Sequence, residues 1–502
     1  MNAPLFHRPR LAILLDGAAL GQDLAAALLH VELHQCLGAP AVLRLSFTDA
    51  ASDALAVLRP GVTVSVAADG GETLFTGTIS EIGEEIEAGH TALFRVTARD
   101  SLHKLALRQS LIALPDASVA DLAQQFAGAI GLSLTSAESL PKRKVVLQNE
   151  QTDLDLLCDL GADVGVYPVQ RGQTLHLFSL AGDGGAELPL VVGQNLLTLQ
   201  TRLGRDAWLP DVRLLGRDAA TLKPREAKLS LARLDQRVEM RDPGGMGDTG
   251  TRLMLNRMSA SDAEAEAYVQ GAIDRAAADV AVAEGLAEGD PTLQPGRVIL
   301  VERSNSAFQA SYVVTRTFHR MNATEGYVTE FSTEKPARPA RARHPLTTIA
   351  EVTDVDDPEN MGRAEVKLTD FGGLNAGWMQ VVIAGAGARK GVTALPDVGD
   401  EVLVLMPEGD PAHGLVLGGV YGTKRLPKGA EEEPRGITIR TKDGQTLDLK
   451  GSGGALTLQN RSGSLVDIRP GRMRVAAASD LLIEAPGKVI TIRANEIRFE
   501  RG

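Results

Sequence analysis

The chain has 502 residues, enough for two to four domains and several hydrophobic cores. Its 44% hydrophobic and 23% charged residues are those of ordinary globular protein, which excludes wholesale disorder, and a net charge of −12 sets the chain as a whole against nucleic acid and anionic membrane. Only Cys36 and Cys158 occur, which excludes a disulfide framework and fits a reducing cytoplasm, and no apolar run reaches the eighteen or so residues of a membrane span.

Leu11–Leu15 is apolar but is interrupted by Asp16, so a first strand is expected there rather than a signal peptide. Any export would then bypass the general secretory route. Residues 42–47, 62–66, 74–82 and 93–97 alternate or are β-branched, are parted by Gly and Asp turns, and read as strands. Ser118 offers an N-cap for a helix through Leu122, Phe126 and Ile130, and a second helix starts at Thr152 and Asp153 with Leu154, Leu157 and Leu160. Strands are expected over about 164–180 and 195–240. The Ala/Glu-rich stretch 259–287, capped by Ser261-Asp262, predicts a long helix with Tyr268, Ile273 and Val280 on its less polar side. Strands resume over 298–301, 312–318 and 327–332.

Residues 335–345 carry three prolines and four basic residues, Lys335, Arg338, Arg341 and Arg343, and form the clearest boundary in the chain. A compact β-barrel module is expected over 348–424. A polar, acidic connector over 425–435 leads to a repeating tail. There, apolar pairs at i and i+2 recur every seven to ten positions: Ile437/Ile439, Leu447/Leu449, Leu456/Leu458, Val466/Ile468, Met473/Val475, Leu481/Ile483, Ile490/Ile492 and Ile497/Phe499. A strand with two apolar residues cannot bury a face alone, so a ladder of them must close on copies of itself. Residues 436–502 hold 11 Lys/Arg against 7 Asp/Glu, so the tail carries about +4 and the remainder about −16.

The motifs resemble those of the spike-hub proteins of contractile injection machines: VgrG of type VI secretion, phage baseplate hub and late-control D proteins, and extracellular injection-system spikes. Ahead of the Pro/Arg boundary the resemblance is carried by Ala98-Arg-Asp100-Ser-Leu-His-Lys-Leu105, by Ser118-Val-Ala-Asp-Leu122 through Gly131-Leu132, and by Gln151-Thr-Asp153-Leu-Asp-Leu-Leu157 with Gly165. Gly289-Asp290-Pro291, Leu293, Pro295-Gly296, Tyr312-Val313-Val314, His319 and Gly326-Tyr327 follow in order. The barrel module is the sharpest match. It opens with 352–358 and Met361-Gly362-Arg363 and continues with 378–381, 396–402 and 408–411, ending on Val416-Leu-Gly418 and Tyr421.

The resemblance implies a mainly β chain with an α+β hub built of barrel subdomains. The hub would span 1–335, with strand-rich parts about 1–105 and 195–335 around an α+β insert at about 106–194. A linker (335–347), an OB-fold neck (348–424), a connector (425–435) and a C-terminal intertwined triple-stranded β-helix or prism (436–502) would follow. In that tail the sixteen paired apolar residues would form the core of a homotrimeric needle, and eight strand levels would give a shaft of roughly 35–40 Å. Arg498, Phe499, Glu500, Arg501 and Gly502 are placed, by position, to contact a PAAR-like tip protein. Inner tube and baseplate proteins would meet the hub, and the target membrane would meet the spike on firing.

No catalytic signature occurs: there is no G-x-S-x-G, H-E-x-x-H, G-x-x-x-x-G-K-[ST] or C-x-x-C. About a dozen residues separate Tyr421 from Gly436 and three follow Phe499, so no embedded or appended enzyme is expected. No cofactor or metal is expected either. His30, His34 and Cys36 share strand parity, but a fourth zinc ligand is missing, and an ordinary strand is the better reading. The acidic cluster Asp354, Asp356 and Asp357 reads as a solvated hairpin before a cation site. OB-folds bind oligonucleotides through basic, aromatic grooves, whereas 348–424 has 5 Lys/Arg against 12 Asp/Glu and only Phe371, Trp378 and Tyr421. The arginines of the linker are expected to lie along acidic hub surface rather than on nucleic acid.

The favoured expectation is a structural, non-enzymatic spike, assembled in the bacterial cytoplasm as part of a particle that is released or acts outside. Met406-Pro407, where many type VI members have Phe-Leu, inclines this toward the phage-like or extracellular branch. The alternatives are a spike with cell-wall hydrolase activity, a type VI VgrG and a monomeric β-solenoid adhesin.

Overall fold

The computed structural model describes residues 10–48, 52–68, 73–86, 92–148, 150–204, 208–234, 250–306, 308–337, 344–387, 392–422, 437–450 and 453–501. Arg338, Arg341, Arg343, the connector 425–435 and Gly502 lie outside the described residues. The chain divides into two compact units, Met1–Gly419 and Val420–Gly502.

An eleven-stranded sheet organises the first unit. Its order is Leu196–Leu203, Ala281–Glu288, Gly326–Ser332, Arg316–Asn322, Leu28–Cys36, Ala39–Phe47, Leu93–Asp100, Thr73–Glu85, Thr63–Ala68, Leu11–Leu15 and Ala18–Ala19. Every neighbouring pair in it is antiparallel. Alternation explains the strands: Ala41, Leu43, Leu45 and Phe47 point to a core with Val31, Leu33, Val64, Val66, Ile79 and Val96. The two ends of the hub sequence join where Phe318 pairs with His34.

Two expected elements of this unit differ. The helix expected over 259–287 is Asp262–Val280, and Ala281–Glu288 is a strand. That segment has helical composition but lies between Leu196–Leu203 and Gly326–Ser332, whose two ladders outweigh its intrinsic preference. Gly285 permits the fit, since a Cβ there would meet Thr198 O at 2.5 Å and the Phe331 ring at 3.0 Å. The strand expected over 312–318 is two strands in different sheets: Ser311–Val313 pairs with Val298–Glu302, while Arg316–Asn322 enters the large sheet. Thr315 marks the crossing, its hydroxyl donating to Ser332 O at 3.0 Å.

The helices Val119–Ile130, Asp153–Val164 and Asp262–Val280 pack on smaller sheets around a core with Leu122, Phe126, Leu157, Tyr167 and Tyr268. The first two begin with capping boxes at Ser118 and Thr152 and end on left-handed Gly131 and Gly165. No described helix is long and apolar enough to cross a membrane.

Leu346–Asp354, Arg363–Leu368, Leu374–Val381, Leu415–Val420 and Glu401–Met406 close into a five-stranded barrel. Its core is Ala350, Val352, Ala364, Val366, Leu368, Met379, Val402, Val404, Met406 and Val416, joined by Leu147 of the preceding insert.

The second unit is an antiparallel meander of Ile437–Arg440, Thr446–Leu449, Leu456–Gln459, Leu465–Arg469 and Arg472–Ala476. Five strands therefore form among the described residues of this unit, against the eight levels expected. Residues 477–501 carry the last three apolar pairs without forming a strand. A segment with no neighbouring strand has no ladder to pair its backbone.

Candidate functional site

The register of the meander sorts its side chains by face, with Leu465 and Ala476 the apolar exceptions on the polar side. Ile437 faces Leu449 and Ile439 faces Leu447; Leu447 then faces Leu458, Leu449 faces Leu456, Leu456 faces Ile468, and Leu458 faces Val466. Val466 faces Val475 and Ile468 faces Met473. All ten residues thus occupy one side of a single-layer sheet. That side is largely uncovered, with Ile437 64%, Met473 65% and Val475 54% exposed. Among the described residues of the unit no second layer packs on it. The opposite side is polar: Thr438 donates to Asp448 at 2.9 Å and Thr457 to Asp467 at 3.1 Å.

Leu481, Ile483, Ile490, Ile492, Ile497 and Phe499 are also exposed, Phe499 at 92%. Arg498 is held by Glu496 at 2.8 Å, while Glu500 and Arg501 are exposed.

A second constellation, unsuspected from the sequence, lies within the first unit where the barrel meets the insert. Arg143, on Lys142–Leu147, lies 3.5 Å from Glu264 through its Nε and ion-pairs with Asp410 of the barrel. Arg257, on Arg252–Met258, pairs with Asp163 and with Glu408 of the barrel, each at 2.8 Å, and its guanidinium lies 4.1 Å over the Tyr268 ring. Tyr268 donates to Glu264 at 2.6 Å. Each arginine therefore bridges one hub carboxylate and one barrel carboxylate. Both arginines are buried, and the network borders a cleft of about 490 Å³. Burial raises the pKa of Glu408 against the pull of Arg257, whereas at Asp410 burial is opposed by Arg143, His413, Arg257 and the Ala412 N–H, which together keep that carboxyl below its usual range.

Two further contacts seat the barrel. Gln380 Nε2 donates to Ala220 O at 2.6 Å, and a Cβ on Gly372 would meet Leu111 Cδ2 at 2.3 Å. The residues 408–411 were legible as part of the barrel motif. Their charges gave no hint of partners as remote in sequence as Arg143 and Arg257. The available signal was a basic residue at inward parity, Arg143 alongside Val145 and Leu147.

The other candidates resolve into scaffold. His34 stacks on Phe318 at 3.9 Å, His30 pairs across the sheet with Asn322, and Cys36 donates to Leu37 O. Both cysteines are free thiols, and burial pushes that of Cys158 up to about 12. Asp357 is gripped by Arg363, whose Nη2 lies 2.6 Å from Oδ1, and accepts from the backbone N–H groups of Glu359, Met361 and Arg363. These bonds hold its carboxyl far below the usual range, and it serves to close a loop. Among the described residues no three His, Cys, Asp or Glu side chains gather to hold a metal.

A long antiparallel hub sheet, a closed five-stranded barrel and a one-sided tail sheet are the architecture of a tail-hub protein of an injection machine. The chain belongs to the phage tail baseplate hub (GPD) family, whose model matches residues 35–325. Residues 348–421 match the type VI secretion system/phage-baseplate injector OB domain. It is a structural hub-and-spike component of a phage-tail-like injection system. Among solved structures it is similar to the Francisella PdpA–VgrG complex in its lidded state. There the TM-score is 0.56 at 8% identity, over 94% of this chain and 81% of that one. An E. coli component of the type VI secretion system matches with TM-score 0.49 at 14% identity, over 82% of this chain and 100% of that one. The 43 kDa tail protein of prophage MuSo2 from Shewanella oneidensis matches with TM-score 0.49 at 15% identity, over 64% and 97%.

Proposed function

We propose that the protein acts as a homotrimeric central spike, its tail sheet closed by the same apolar face of two further copies. The observation that carries this is the set of ten apolar side chains on one uncovered side of a single-layer sheet. Fully burying one such side chain is worth roughly 1.5–3 kcal/mol, and no layer among the described residues of its unit collects that gain. Three copies would also supply neighbours for 477–501, where Leu481/Ile483, Ile490/Ile492 and Ile497/Phe499 continue the pattern.

In this reading the hub sheet adapts the spike to inner-tube and baseplate proteins, and the residues from Arg498 onward receive a PAAR-like tip. The protein is assembled in the cytoplasm and fires in a particle of the phage-like or extracellular type, puncturing the target envelope. Its action is mechanical, with no enzymatic step. The two-arginine joint transmits thrust between hub and neck without slack, because each cation is held from both sides.

Light-scattering mass tests the reading. A value three times the 53.1 kDa of one chain is expected, and a monomer at every concentration overturns it. Clear murein hydrolysis by the purified trimer would overturn the non-enzymatic part alone.

A further inference from the structure

The positive tail of an otherwise acidic chain has a location in the structure. On the polar side of the tail sheet stand Arg440, Lys450, Arg469, Arg472 and Arg474, against only Asp448 and Asp467. The two acids are engaged within the face. Asp448 accepts from Thr438 and pairs with Lys450 at 3.4 Å, and Asp467 accepts from Thr457 and pairs with Arg469 at 2.9 Å. Arg440, Arg472 and Arg474 are exposed and make no ion pair among the described residues; Arg474 lies across from Asp467 in register. The apolar side carries no charge. The sheet therefore separates its chemistry by side, with an excess of about three positive charges on the polar one.

We infer that this polar side is a binding surface for anionic lipid headgroups, recruiting the shaft to a negatively charged bilayer. The inference rests on the trimer reading, which turns three copies of the apolar side inward and leaves three basic faces outward. Charge complementarity selects the partner. Arginine is weakly hydrated and grips phosphate in a bidentate fork, and basic residues near an anionic membrane add attraction one by one. The remaining chain, at about −16, opposes such binding, so the attraction is confined to the tail. A nucleic acid is the poorer fit, since this side of the meander carries no aromatic side chain on which a base could stack.

The test is co-flotation of the full-length protein, its mass first checked by light scattering, with phosphatidylcholine vesicles and with vesicles half phosphatidylglycerol. Trimers are expected to float with the anionic vesicles and not the neutral ones, and to be released as salt rises. The triple variant Arg440→Glu/Arg472→Glu/Arg474→Glu, with trimer mass retained, should bind more than about tenfold more weakly. Trimers that ignore anionic vesicles, bind neutral ones equally, resist salt, or prefer duplex DNA to vesicles overturn the inference and leave the trimer standing. A monomeric mass overturns both. If the triple variant does not assemble, the salt and lipid dependence of the unaltered protein decides.

Discussion

The hub–barrel joint and the tail sheet meet the same physical demand in opposite ways. At the joint, buried charge is satisfied within one chain, as Arg143 and Arg257 each find two carboxylates and Arg257 also covers Tyr268. In the tail, apolar surface is left uncovered among the described residues of its unit, ten side chains standing on one open face. A part whose contacts are complete alone is built to keep its geometry; on the proposed trimer, a part whose contacts are incomplete is finished by its copies. Variants that touch one region and spare the other expose that division.

The largest effect is expected from charge on the open face. Leu458 and Val466 are cross-strand neighbours, and replacing both with aspartate puts six carboxylates into the interior of a trimer. The mass should fall from that of three chains to the 53.1 kDa of one, while the thermal transition of the first unit stays in place. A trimer that survives the double substitution removes this face from the assembly.

The converse variant is Arg257→Ala. It removes the cation that Asp163 and Glu408 share, and loss of one partner of a buried pair costs about 3–5 kcal/mol. Denaturant unfolding should show that loss with trimer mass unchanged. Combining Arg257→Met with Asp163→Asn and Glu408→Gln should recover most of it, because no buried charge then lacks a partner. Stability equal to the unaltered protein in Arg257→Ala would reduce the joint to a surface contact.

These regions also differed in how far they could be read in advance. The tail pattern was legible because it is local: two apolar residues, a turn, and two more. The caps at Ser118 and Thr152 and the alternation of Val402, Val404 and Met406 are local in the same sense. The joint was not legible, since Arg143 and Asp410 lie 267 positions apart and nothing near either announces the other. Ala281–Glu288 failed for a related reason, its strand form being imposed by two partners, Leu196–Leu203 and Gly326–Ser332, that are distant from it in sequence. The last three apolar pairs of the tail mark the reverse limit. Their pattern is plain, but among the described residues no strand pairs with them.

Acidity probes the self-sufficient unit through two buried groups on its large sheet that work against each other. Burial lowers His319 to about 3, so between about 6.5 and 3 the unfolded chain binds the extra proton, and stability is lost as pH falls. Burial raises Asp100 to about 7 despite its backbone N–H donors, so the folded chain holds a proton that the unfolded one has released, and stability is lost as pH rises from about 3.8 to 7. Over pH 4–6.5 the two slopes, each at most about 1.4 kcal/mol per unit, should largely cancel. Urea unfolding of Asp100→Asn should then uncover falling stability toward acid, and that of His319→Asn falling stability toward neutrality. Identical pH slopes in both variants would show that neither group carries the linkage.

The smallest effect comes from a contact that is wholly local. Ser118 Oγ accepts the N–H of Asp121 at 3.2 Å, and Asp121 accepts the Ser118 N–H at 2.8 Å, satisfying two donors that the first turn of Val119–Ile130 would otherwise leave open. The Ser118 bonds also hold the Asp121 carboxyl below its usual range, as expected of an anion at a helix start. Ser118→Ala should cost about 1 kcal/mol and Ser118→Gly only a few tenths, since glycine leaves the backbone open to water. Both should leave trimer mass and tail assembly untouched. A shift in mass would mean that the two units are coupled through this helix, and the contrast between a self-contained hub and a tail completed by its copies would have to be redrawn.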